Sequence, residues 1–113
     1  MQNQYQRVVI TGMGAITPIG NTIDEFWSSA TNGNSGISNF AHLDTSNYPC
    51  KVAGEVKDFD PTEYMDKKSA RRMARFSQFA VAAARQSIQN ASLNIAAIDR
   101  TRIGIICGNG GGG

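Results

Sequence analysis

Five cations fall within nine residues of this chain: Lys67, Lys68, Arg71, Arg72 and Arg75, out of 11 lysines and arginines in all. Lys68, Arg71, Arg72 and Arg75 stand at i, i+3, i+4 and i+7, so a continuous helix would line them along one face. Cations at that spacing repel one another, and the sequence places no acidic residue among them to offset the cost. Such a cluster points to an anionic partner. Phosphate groups, nucleic acid and an acidic protein all satisfy the charge requirement.

Two other features carry chemistry in principle. Cys107 follows an apolar run and precedes Gly108-Asn109-Gly110, with Gly111 to Gly113 beyond. A thiol beside free backbone N–H groups is the arrangement of an activated nucleophile with an oxyanion hole, but activation needs a base. The single histidine, His42, lies far off with only Asp44 nearby, and reads as a surface residue. The alternation Ile103, Ile105, Cys107 predicts instead a small buried strand residue. Gly12-Met13-Gly14 after a β-branched run resembles the start of a dinucleotide fingerprint. Thr17 replaces its third glycine and Pro18 follows, so the pyrophosphate would meet no helix N-terminus, and a tight structural turn is expected. No metal-ligand spacing occurs.

The elements that must position these groups follow from pattern. Arg7–Gly14 is predicted as a first strand. Thr22 and Glu25 form a capping box for a helix through Phe26, Trp27 and Ala30 that ends at Gly33. Residues 34–49 read as irregular surface chain, and 50–56 as a short strand. Asp60-Pro61 opens another helix. A long helix is predicted over 67–91, with Met73, Phe76, Ala80, Ala83, Ala84, Ser87 and Ala91 as an apolar, mostly small face. Arg102–Cys107 is the last strand. Alternating strands and helices predict an α/β domain, with 41% hydrophobic residues to fill a modest core.

The remaining totals exclude more than they assign. A net charge of +2 gives no global field for nucleic acid or membrane. The polar start Met1–Gln6 lacks the apolar stretch of a signal peptide, and no run approaches a membrane span. Cys50 and Cys107 read as reduced thiols of a cytoplasmic protein. A glycine turn after an unreceived strand predicts that residues 1–113 are the incomplete front part of a longer protein. Its last strand, left uncovered, would be prone to aggregation.

Taken in order, Val8 to Asn21, the tryptophan-bearing helix, Gly33-Asn34-Ser35-Gly36-Ile37, Phe40 to Tyr48, Val56-Lys57-Asp58-Phe59, Arg71-Arg72-Met73 with Phe76, Arg102-Ile103-Gly104 and Gly108-Asn109-Gly110 resemble the 3-oxoacyl-[acyl-carrier-protein] synthases, in particular synthase II. The resemblance covers essentially the whole chain. It implies the N-terminal portion of a thiolase-like fold, layered αβαβα, in a homodimeric acyltransferase. Such enzymes hold an acyl chain on an active-site cysteine and condense it with malonyl-carrier protein, two histidines assisting. Substrates ride on the phosphopantetheine of acyl carrier protein, and no other cofactor or metal is implied.

None of those catalytic residues is in this chain, because Cys50 follows Pro49 and Cys107 precedes glycine, and neither matches the family's nucleophile context. Two features do carry over. Lys68, Arg71 and Arg72 match basic positions that dock the carrier protein, which favours that partner over nucleic acid. Gly111 lies in the loop bordering the acyl-chain pocket. Synthase II relatives typically place isoleucine there, so synthase I or a relaxed-specificity paralogue stays open. The competing expectations are a polyketide-type ketosynthase segment, disfavoured by the short stretch before the first strand, and a catalytically silent partner or binding module.

Overall fold

The computed structural model describes residues 6–112. The start Met1–Tyr5, part of the segment searched for a leader, and the final Gly113 lie outside the described residues. The chain folds as helix α1 (Ile23–Thr31), strands β1 (Ile37–Asn39) and β2 (Val52–Gly54), helix α2 (Lys67–Arg72) and helix α3 (Arg75–Asn90). Single 3-10 turns sit at Pro61–Glu63, Ile95–Ala97 and Arg100–Arg102.

α1 starts as predicted at Thr22, whose Oγ1 accepts from the Glu25 N–H (3.2 Å). The reciprocal half of the capping box is shifted by one residue. Glu25 Oε2 accepts from the N–H of Asn21, not Thr22, at 2.8 Å. The helix closes where expected: the N–H groups of Gly33 and Asn34 fold back onto the carbonyls of Ala30 and Ser29.

The sheet differs from expectation. β1 pairs antiparallel with β2, Ser38 opposite Ala53. β1 lies in the stretch read as irregular, since three residues are too few to show alternation. The predicted strands Arg7–Gly14 and Arg102–Cys107 are not strands. A strand exists through its ladder, and no described segment supplies one to either run. Val8, Val9 and Ile10 are accordingly 93%, 62% and 84% exposed, and Ile105 and Ile106 are 87% and 100% exposed. Cys107, expected to be buried, is exposed for the same reason.

The long helix is broken. Met73 and Ala74 take extended backbone, with ψ of 138° and 151°, separating α2 from α3. Asp60 caps only the one turn Pro61–Glu63. The α3 face that packs is Ala82, fully buried, flanked by Gln78, Phe79, Gln86 and Ser87, whereas Met73, Phe76, Ala80 and Ala84 are exposed. The small residues of the predicted stripe do serve close approach. A Cβ on Gly12 would overlap the Ser87 carbonyl, and one on Gly14 the Ala83 carbonyl. Neither glycine has positive φ. They are therefore not the turn that was expected, but points where extended chain lies flat on the helix.

Two side chains of α3 hold that extended segment. Asn90 Oδ1 accepts from Met13 N–H (3.1 Å) and Gln86 Oε1 from Ala15 N–H (3.0 Å). Gln86 Nε2 also donates to the Asn21 carbonyl (2.6 Å) and the Tyr64 hydroxyl (2.9 Å). Otherwise little core forms. Only Met65, Ala70 and Ala82 are buried apolar residues among those described. The radius of gyration is 18.0 Å, against about 13 Å for a compact domain near this length.

Candidate functional site

The basic cluster is divided between two elements. α2 begins at Asp66, whose Oδ1 accepts from the Ser69 N–H (2.9 Å) and whose Oδ2 accepts from the Ser69 hydroxyl (2.6 Å). That hydroxyl, then the backbone donors, hold the Asp66 carboxyl below the usual aspartate range. Lys68, Arg71 and Arg72, at i, i+3 and i+4, share the face opposite buried Ala70 and are exposed. Arg71 and Arg72 occupy the last turn, where the helix dipole favours positive charge. Gln78 Nε2 reaches back to the Ala70 carbonyl (2.8 Å) and secures that end.

Arg75 leaves the cluster. The break at Met73 turns its helix away, and its Nη2 donates to the Val56 carbonyl at 3.1 Å. The guanidinium lies 5.0 Å from the Phe79 ring centroid and 5.8 Å from that of Phe59. Those two rings pack edge to face at 5.0 Å. The expected four-cation face is thus a three-cation face, because the fourth is spent on aromatic packing. Lys67 is offset by Asp60, whose carboxyl is held low chiefly by the Thr62 hydroxyl and also by the Lys67 charge. The sequence showed Asp60 only as a helix cap.

The glycine loop sits at the far end of the chain. Asn109 Oδ1 accepts from the Gly111 N–H (3.0 Å), and Gly111 has φ of 119°, a conformation that L side chains rarely adopt. Gly111 is exposed, with nothing within 4 Å of where a Cβ would stand.

No catalytic constellation forms among the described residues. A cleft of about 970 Å³ is lined by His42, Glu55, Asp58, Phe59, Arg75 and Phe79 among others. It contains no cysteine. Cys50 and Cys107 are free, as expected, and lie elsewhere. No three His, Cys, Asp or Glu residues among those described are grouped to hold a metal ion. Pattern reading missed Gln86 and the Arg75 clamp. Phe79 stands at i+4 from Arg75 on one helix, a spacing that marks the pair locally, whereas nothing local links Phe59 to that cation.

Residues 5–113 match the family described as beta-ketoacyl synthase, N-terminal domain. The chain belongs to that family. It is 47% identical over 110 residues to 3-oxoacyl-[acyl-carrier-protein] synthase 2 of Synechocystis sp., covering 97% of this chain and 26% of the relative. The synthase 2 of Vibrio harveyi is 45% identical over 108 residues, 96% of this chain and 26% of its own. That of Staphylococcus aureus is 46% identical over 111 residues, 98% and 27% respectively. The beta-ketoacyl synthase segment described here thus spans about a quarter of the length of these curated relatives.

Solved structures agree on the fold. The ishigamide ketosynthase/chain length factor superposes with a TM-score of 0.71 at 36% identity, covering 79% of this chain and 22% of that one. The AntDE:AntF complex, a type II polyketide synthase acyl-carrier protein with its ketosynthase bound to the hexaketide, gives a TM-score of 0.65 at 25% identity. It covers 85% of this chain and 25% of that one. The α/β expectation is met in part, as a piece of a ketosynthase fold with three helices and one two-stranded sheet among the described residues.

Proposed function

We propose that this chain is the N-terminal segment of a 3-oxoacyl-[acyl-carrier-protein] synthase that elongates fatty acids by decarboxylative condensation. The supporting observation is 47% identity over 97% of the chain to a synthase 2. In the reaction, an acyl group passes from the carrier's phosphopantetheine thiol to the enzyme's cysteine thiol, and the carrier thiol leaves. Malonyl-carrier protein then loses CO2 by cleavage of its carboxyl carbon–carbon bond. The resulting carbanion attacks the acyl thioester carbonyl. A carbon–carbon bond forms, the enzyme's carbon–sulfur bond breaks, and the cysteine thiolate is regenerated.

The nucleophile and both histidines belong to the part of such enzymes that this segment does not cover. Its own contribution is scaffold and recognition. Lys68, Arg71 and Arg72 on α2 dock the acidic carrier protein, and the loop at Gly111 borders the acyl chain. Residues 1–113 are then an incomplete domain of a homodimer that works in the cytoplasm without metal or further cofactor. No helix among the described residues is long and apolar enough to cross a membrane.

A second reading has its own support, since one of the two solved structures named above contains the ketosynthase of a type II polyketide synthase. The test is to incubate the full-length protein with acyl- and malonyl-carrier protein and identify the product by mass spectrometry. A single 3-oxoacyl-carrier protein, one two-carbon unit longer, supports the fatty-acid synthase. A multiply extended polyketone supports the alternative. Carrier binding without product would mark a catalytically silent partner.

A further inference from the structure

The glycine loop has one seat. The Cβ positions of Gly108, Gly110 and Gly111 meet nothing within 4 Å. At Gly112 the position differs, lying 2.7 Å from Cδ1, 2.8 Å from Cε1 and 2.8 Å from Cγ of Phe76. Near-equal distances to three consecutive ring atoms put that point over the face of the ring, not its rim. Only a residue without a side chain brings backbone so close to an aromatic plane.

Phe76 is 43% exposed in this segment, and the backbone of Gly112 lies against its face. Its own placement is firm. The preceding residue, Arg75, is tied to the Val56 carbonyl and to two aromatic rings. The extended backbone at Met73 and Ala74 starts α3 at Arg75, so Phe76 stands in its first turn. On the loop side, the Asn109 side chain and the positive φ of Gly111 set the turn that lowers Gly112 onto the ring.

We propose that Phe76 is the positioning residue for the glycine loop. Resting on the proposed function, in which the loop borders the acyl chain, its ring also sets the room left for that chain. The same residue lies just beyond the α2 docking face, separated from it by the break at Met73. The loop and the docking helix are therefore carried by neighbouring parts of the α2–α3 corner, which Gln78 ties together through the Ala70 and Met73 carbonyls.

The test uses the full-length protein with Phe76→Leu, Phe76→Ala, Phe76→Tyr and Gly112→Ala. Hydrogen–deuterium exchange of residues 108–112 should rise roughly tenfold in the Leu, Ala and Gly112→Ala variants. It should stay at the wild-type rate in Phe76→Tyr, which keeps the plane. Unchanged exchange in both Phe76→Leu and Gly112→Ala would overturn the positioning role. In parallel, kcat/KM is compared across short, medium and long acyl chains. A shifted chain-length ratio at constant carrier-protein KM is expected, and a loosened loop with an unshifted ratio would overturn the link to the acyl chain. If the wild-type full-length protein condenses no substrate, the proposed function fails, while exchange still decides the positioning role.

Discussion

Arg75 and Phe79 form a cation–aromatic pair at 5.0 Å, and that pair takes Arg75 out of the basic face to which its spacing assigned it. Its work is structural, joining α3 to the loop at Val56. Arg75→Ala should cost about 1–2 kcal/mol of stability through the lost ring contact and hydrogen bond. Arg75→Lys should recover only part, because an ammonium cannot stack its plane on the rings. Denaturant midpoints of the full-length variants check this. A carrier-protein KM raised as much by Arg75→Ala as by changes at Arg71 or Arg72 would return Arg75 to the proposed docking face.

Gly12 and Gly14 lie against the Ser87 and Ala83 carbonyls with no room for a methyl group. Gly12→Ala and Gly14→Ala should each destabilise by about 3 kcal/mol or more, since backbone on both sides must move. Neither glycine has the positive φ that alanine would resist, so the loss measures crowding alone. Adding Ser87→Ala should not rescue Gly12→Ala, because the obstacle is the carbonyl. Thermal unfolding of the double variant checks it, and a rescue would contradict the packing described.

Gln86 serves three segments at once through Ala15, Asn21 and Tyr64. Gln86→Leu keeps the volume and removes every bond, leaving partly buried backbone groups unpaired, at a cost of about 1–3 kcal/mol. Tyr64→Phe should cost less, since Gln86 keeps its other partners. Amide exchange at Ala15 reports the loss directly, and protection there equal to wild type in Gln86→Leu would contradict the assignment.

Asp66 gives α2 a pH dependence. Its carboxyl is held low by the Ser69 hydroxyl and by backbone N–H groups that it caps. A carboxyl whose folded pKa is depressed contributes fully above its unfolded value, and the contribution fades as pH falls through the lower folded value. Protection of the Ser69 amide should therefore fall in acid, below the ordinary aspartate range. Asp66→Asn, which keeps a cap without the charge, should flatten that profile. An unflattened profile would place the dependence elsewhere.

Much of the local structure was legible because its causes are local. The caps at Thr22 and Asp60 follow from side chains meeting nearby backbone, and the stop at Gly33 from its positive φ. What misled was whatever depends on distant partners. Val8 to Ile10 and Ile103 to Ile106 have the composition of strands, but ladders are made by other segments, and none described is beside them. The break at Met73 carries no proline or glycine to announce it. It is fixed by Gln78, which reaches back to the Ala70 and Met73 carbonyls, and by the hold of Val56 and Phe59, distant in sequence, on Arg75. Lys68, Arg71 and Arg72 keep the shared face their spacing predicts because they fall within a single short helix. The fourth member was lost because it crossed the break.

The most direct measurement is the carrier-protein KM of the full-length enzyme with Lys68, Arg71 and Arg72 all changed to Ala, at low and at high salt. Charges at an exposed rim steer association and are screened by salt. KM should rise roughly tenfold at low salt with kcat little changed, the gap narrowing as salt rises. A KM equal to wild type at low salt would contradict it, and α2 would then be a solvated face and not a docking surface.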